Sequence, residues 1–246
     1  AWEARLILSR YRPFFAQLDR QSTGDFDWRR DIWPLQWRIG IQSVVQFLAF
    51  LPIVPVLFDT HGPELAGRYG MTWQVMSSLL MVAYAYLRTR SPDFGRLIAE
   101  RRRSESNAMF KHVVLGSTAL LAGLLSLFCG GILVVNQLPW EVTERISERF
   151  LTPQTCLWFA AALIPIHLMQ CFAMYIRSQR FDPIWRVSLP CHLTLAILVY
   201  FAAKSGQLEW IAYSMLIVFT PSTLVLGMMS RWYNRHFVAL ESAESI

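Results

Sequence analysis

The sequence DIWPLQWRIGIQSVVQ, residues 31–46, opens charged and rich in tryptophan and closes on two glutamines at the head of an apolar run. That run continues without a charged residue to position 58. Indole rings settle at the headgroup level of a bilayer, and an arginine stem stays apolar while its guanidinium extends toward phosphate. Trp33, Trp37 and Arg38 therefore form an elbow that leads a helix into hydrocarbon. Pro34 fits this elbow, because N–H groups in the first turn of a helix have no partner to lose.

The composition agrees. Of 246 residues, 54% are hydrophobic and 16% charged, and mean hydropathy is +0.33. A soluble domain carries about a quarter charged residues. Crossing hydrocarbon as helix takes roughly 17–25 residues, and six stretches qualify without Asp, Glu, Lys or Arg: 39–58, 70–87, 113–138, 153–176, 187–203 and 210–230. None shows the short alternation of barrel strands. The prediction is an all-α membrane protein with a six-helix transmembrane bundle over 39–230. A connector and elbow, 1–38, would precede it, and a tail, 231–246, would follow.

Charge orients the bundle. Of 23 Lys and Arg, only Arg68, Arg145, Arg149 and Lys204 fall on the side opposite residues 1–38; the other 19 share that side. The positive-inside rule makes the arginine-rich side cytoplasmic, with both ends of the chain there. The acidic loop PWEVTERISERF, 139–150, then faces outward. The net charge of +6 reads as topology, so no nucleic-acid partner is expected. The lipid bilayer is the first partner. Within the loop 88–112, Ser91 and Pro92 start a helix with Ser91 as cap, and Phe94, Leu97 and Ile98 form one apolar face. It reads either as an interfacial helix with arginines at lipid phosphates or as a plain positive-inside loop. The stretch RLILSRYRPFFAQL, 5–18, is similarly amphipathic, and no signal peptide is recognisable. Cys129, Cys156, Cys171 and Cys191 form no CxxC pair and read as buried free thiols.

Polar residues inside apolar runs mark where function could reside. Gln42 and Gln46 share a helix face with Ser43 beside them, and amides need partners away from lipid. Interhelical bonding and the lining of a polar cavity both satisfy that need. Gln74, His167, Gln170 and His192 complete the cavity candidates, with His167 and Gln170 on one face. Arg38, Arg88 and Arg186 stand at the cytoplasmic mouths. Pro52, Pro55, Pro165, Pro190 and Pro221 are hinge candidates, since each removes a backbone hydrogen bond. An intramembrane carboxylate for proton pumping is missing from every span. Ser117 with His167 or His192 as base is the one hydrolytic pairing to weigh, and it lacks a GxSG context. HExxH, phosphate-binding glycine loops and DxD pairs are also missing. No catalytic residue, metal or cofactor is expected.

The run WRRDIWPLQWRIGIQ, followed by GPELAGRYGMTWQ and SPDFGRLIAERR, resembles the polysaccharide-flippase branch of the multidrug/oligosaccharidyl-lipid/polysaccharide exporter superfamily. The resemblance covers residues 28 to about 111 best; the later spans agree in number and orientation. It implies one half, the carboxy-terminal one, of a twelve- or fourteen-helix transporter in the bacterial cytoplasmic (inner) membrane. The chain's start at Ala rather than Met agrees with such a fragment. The amino-terminal half and a lipid-linked glycan are its implied partners, moved by alternating access. Gln42 and Gln46 would meet sugar hydroxyls. No cation lies inside the spans, so the missing half, the mouth arginines or a substrate without diphosphate would have to account for charge. A multidrug or small-solute exporter is the alternative on the same fold, and a membrane-embedded scaffold or assembly subunit the alternative from another class.

Overall fold

The structure, a computed structural model, describes residue 29 and residues 33–179 and 183–244. The expected connector thus lies outside the described residues, apart from Arg29 and 33–38. All regular structure among the described residues is helical: α1 (Trp33–Phe50), α2 (Ile53–His61), α3 (Pro63–Thr89), α4 (Ser91–Ala99), α5 (Arg103–Gln137), α6 (Glu141–Ser147), α7 (Pro153–Ser178), α8 (Trp185–Ser205) and α9 (Leu208–Glu244). The chain divides into two units, 1–41 and 42–246. The described part of the first is mainly the start of α1, where Trp33 and Trp37 are exposed. Everything below concerns the second.

Proline and glycine punctuate this unit as their backbone preferences require. Pro52 separates α1 from α2, flanked by hydrogen bonds from Leu51 N to Phe47 O and from Val56 N to Pro52 O, each 2.9 Å. Gly62, at φ +88°, ends α2 and hands the chain to α3, whose first residue is Pro63. Thr152 caps α7 by accepting from Thr155 N at 3.3 Å. Pro165, Pro190 and Pro221 lie inside α7, α8 and α9, and the Pro165 carbonyl accepts from Thr223 Oγ1 at 2.8 Å. That bond ties α7 to α9 at depth.

Five helical stretches are long and apolar enough to cross a membrane: Gln36–His61, Arg103–Gln137, Pro153–Ser178, Trp185–Ser205 and Leu208–Asn234. The expected span 70–87 falls within α3, whose 27 residues reach about 40 Å. It is absent from these five because Thr72, Trp73, Gln74, Ser77, Ser78, Tyr84 and Tyr86 dilute its hydropathy. Its apolar stripe of Ala66, Tyr69, Met76, Leu80, Ala83 and Leu87 is nonetheless buried.

The helices pack in a closed circuit: α2 on α3, α3 on α5, α5 on α7, α7 on α9, α9 on α8 and α8 back on α2, with α3 also meeting α7. α7 is the central element, 56% of its apolar window being buried against 22% for α5. Aromatic side chains fill the middle, with Trp73 stacked on Phe50 and edge-on to Phe159.

Hydrogen bonds define two ends. At one, Arg68 Nε donates to Phe150 O at 3.0 Å, Leu151 N to Thr72 Oγ1 at 3.0 Å, and Thr155 Oγ1 to Glu209 Oε1 at 2.6 Å. At the other, the arginine-rich end, Tyr175 OH donates to Asn107 Oδ1 at 2.6 Å, and Gln179 Nε2 donates to Asn234 Oδ1 at 3.2 Å. α9 runs unbroken past Ser230, so the expected tail begins as helix rather than as a separate segment.

α4 departs from both sequence readings. It is a helix, but Phe94 and Leu97 are buried in the protein, in a cluster with Phe110 and Tyr175, rather than laid on lipid. Its cap is Arg90, with Ser91 and Pro92 in the first turn and no side-chain cap bond. Ser91 is therefore not the cap. At its far end Arg102 donates to Glu105 Oε1 and Oε2 at 2.8 and 2.6 Å and to Glu100 at 3.1 Å. Those bonds, Glu105 foremost, hold the Arg102 guanidinium above its ordinary pKa.

Candidate functional site

Three helices converge on a cleft at the arginine-rich end. α3 brings Tyr84 and Arg88, α4 brings Ser91 and Pro92, and α7 brings Met174, Arg177 and Ser178, around about 560 Å³. Phe94, packed against Phe110 of α5 and Tyr175 of α7, seats α4, the helix that carries Ser91 and Pro92. Arg177 Nη2 also donates to Gln42 Oε1 of α1 at 3.2 Å. The result is two guanidiniums and the hydroxyls of Tyr84, Ser91 and Ser178 in an open, mixed-polarity recess. It can hold an anion or a polyol; nothing in its lining offers a nucleophile with a base.

The sequence candidates scatter around it. Gln42 is buried and bonded, whereas Gln46 and Ser43 on the same helix are exposed, as is Gln74 on α3. Of residues 42–50 only Gln42 and Ala49 are buried. Arg88 lines the cleft; Arg38, in the first unit, is half-buried, and Arg186 lies over the Trp185 ring at 5.7 Å. His192 is buried with Nδ1 2.7 Å from Ser188 O, one turn back, and its ring meets Phe219 edge-on. Gln170 is half-buried.

His167 and Ser117 are brought together. Nε2 lies 3.0 Å from Ser117 Oγ and 3.5 Å from Cys171 Sγ, in a fully buried spot between α5 and α7. Ser117 Oγ also donates to Val114 O at 3.1 Å, and His167 Nδ1 has no hydrogen-bond partner among the described residues. A catalytic base is oriented by a third group on its second nitrogen, with substrate access beside the nucleophile. Both are missing at this pair among the described residues, so its geometry is that of a packed, hydrogen-bonded helix contact.

Arg177 is the residue that sequence reasoning missed. It counts there as one more positive-inside charge. Its spacing of seven residues from Gln170, two turns on one face of α7, is the signal that could have singled it out.

Fold and cleft together define an all-helical protein with several helices long and apolar enough to span a membrane, recessed at its arginine-rich end. Compared with protein-family models, curated proteins and solved structures, the chain matches none.

Proposed function

We propose that the chain is one six-helix half of an alternating-access exporter that moves a lipid-linked oligosaccharide or polysaccharide precursor across the bacterial cytoplasmic membrane, without covalent chemistry on it. α3 is the sixth crossing in this reading. It runs from the end where Arg68 meets Phe150 to the end where Arg88 lines the cleft. The positive-inside rule makes the cleft cytoplasmic, where such precursors are assembled. A facing second bundle would cover Gln46 and Gln74, whose exposure to acyl chains would otherwise be costly. Breaks and interior prolines at Pro52, Pro165, Pro190 and Pro221 supply bending points.

The observation that carries the reading is the cleft itself, with Arg88 and Arg177 at its wall and an amide tethered to one of them. Reconstitution tests the proposal. Proteoliposomes holding the chain together with its facing bundle should carry a fluorescent lipid-linked oligosaccharide to the opposite leaflet, where an added lectin captures it. Capture no faster than in protein-free liposomes overturns the reading.

A further inference from the structure

A groove runs down the outside of the bundle where α8 packs back on α2. Leu48, Pro52 and Val56 line one side of it and Ile197, Tyr200 and Phe201 the other, around about 300 Å³. Tyr200 carries the one polar side chain among the described residues of its lining. Both walls belong to helical stretches of membrane length, Gln36–His61 and Trp185–Ser205, so in a bilayer the groove opens on hydrocarbon. From Ala196 to Ala203 it follows α8 for about 10 Å, within the roughly 15 Å that one leaflet adds to the hydrocarbon core. One turn of a helix about 10 Å across fills roughly 420 Å³, so a second helix would lie across this groove, whereas a single acyl chain is thin enough to enter it. The walls meet at one end, where the His61 imidazole of α2 takes the space that a side chain at Gly206 would need. A cation stands at that end. Lys204, exposed in the last turn of α8, holds its Nζ 5.7 Å from the centroid of the Tyr200 ring, within cation–π range. That contact turns the ammonium toward the groove, and Lys204 makes no ion pair among the described residues. An apolar slot with a cation at its rim matches a lipid that has a hydrocarbon chain below an anionic headgroup.

We propose that this groove binds one anionic glycerophospholipid of the leaflet on the Lys204 side, with an acyl chain against Pro52 and Val56 and the phosphate at Lys204 Nζ. Such a site needs only membrane-length helices and does not depend on any transported substrate. Pro52 separates α1 from α2, and of residues 42–50 only Gln42 and Ala49 are buried. The bound chain therefore packs a helix break that little of the protein covers, and bridges it to α8.

The test uses the intact chain in nanodiscs of equal parts dioleoyl phosphatidylglycerol and dioleoyl phosphatidylcholine, with retained lipid read by native mass spectrometry. Wild type should retain phosphatidylglycerol in preference. Lys204→Gln should lower the retained ratio of the two lipids about fivefold, the worth of one lysine near a lipid surface, and Lys204→Arg should preserve it. Arg149→Gln removes another exposed cation from the same side of the bundle and should leave the ratio unchanged. Ala196→Phe, which fills the groove from α8, should abolish retention of both lipids. If Ala196→Phe misfolds by circular dichroism, Lys204→Gln carries the test together with glycerol 3-phosphate, a headgroup without a chain, which should fail to displace the lipid. Equal ratios in wild type and Lys204→Gln, or an equal fall in Arg149→Gln, overturn the site. Unchanged retention in folded Ala196→Phe, or displacement by glycerol 3-phosphate, overturns the acyl-chain contact. A dimer of the chain that Ala196→Phe dissociates would give the groove to a second copy and overturn the lipid.

Discussion

At Arg101 the backbone turns left-handed, with φ at +59°, to close α4. Arg102 N bonds to Leu97 O at 2.8 Å and Arg101 N to Ile98 O at 3.1 Å, the reciprocal pattern of a Schellman motif. A residue with a Cβ costs about 1 kcal/mol at that position relative to glycine. Gly206 holds the equivalent conformation after α8, at φ +72°, and there the backbone itself favours glycine. A Cβ would strain the backbone and displace the exposed His61 imidazole, whose Cδ2 it would meet at 2.6 Å. Arg101→Gly should therefore stabilise the protein by about 0.5–1 kcal/mol, while Gly206→Ala destabilises it by more than about 1 kcal/mol. Thermal unfolding in one detergent measures both. Loss of stability in Arg101→Gly, or none in Gly206→Ala, would contradict these assignments.

Among elements, α4 separates what a sequence can reveal from what it cannot. Its start, its length and its apolar face are visible in SPDFGRLIA, but the destination of that face is not. Lipid and a pocket lined by Phe110 and Tyr175 are equally apolar, and only the fold distinguishes them. Phe94 is fully buried, so Phe94→Ala should cost about 3–5 kcal/mol and loosen the seating of α4. Arg96→Ala, on the exposed side, should change stability by less than about 0.5 kcal/mol. Reversible unfolding in mixed micelles resolves the two; a small effect at Phe94 would return α4 to the membrane interface. The same reasoning explains Gln42 and Gln46. Their shared face follows from a spacing of four, yet one is buried against Arg177 and the other exposed. Helical periodicity fixes relative angle, not which neighbour lies there. Likewise, nothing in the hydropathy of α5 and α7 indicates that α7 is the enclosed one.

For the whole molecule, the all-helical class and five membrane-length helices were legible because hydrocarbon demands long uncharged runs, and those survive inspection residue by residue. α3 is the exception. Gln74, the serines and the aromatic hydroxyls lower its hydropathy, so the proposal that it crosses rests on charge alternation and helix length instead. The cleft was half legible: Arg88 stood out at a mouth, whereas its pairing with Arg177 arises only when α3 and α7 come together. The proposed orientation, substrate capture and transport all depend on α3 traversing the bilayer. Single cysteines introduced by Glu64→Cys, in the exposed first turn of α3, and Ser104→Cys, exposed and beyond its last, test this in intact cells with an impermeant maleimide. The four native cysteines are buried, which keeps the background low. Labelling of Glu64→Cys from outside, with Ser104→Cys reached only after the membrane is opened, is the predicted result. Labelling of both positions from the same side would contradict it.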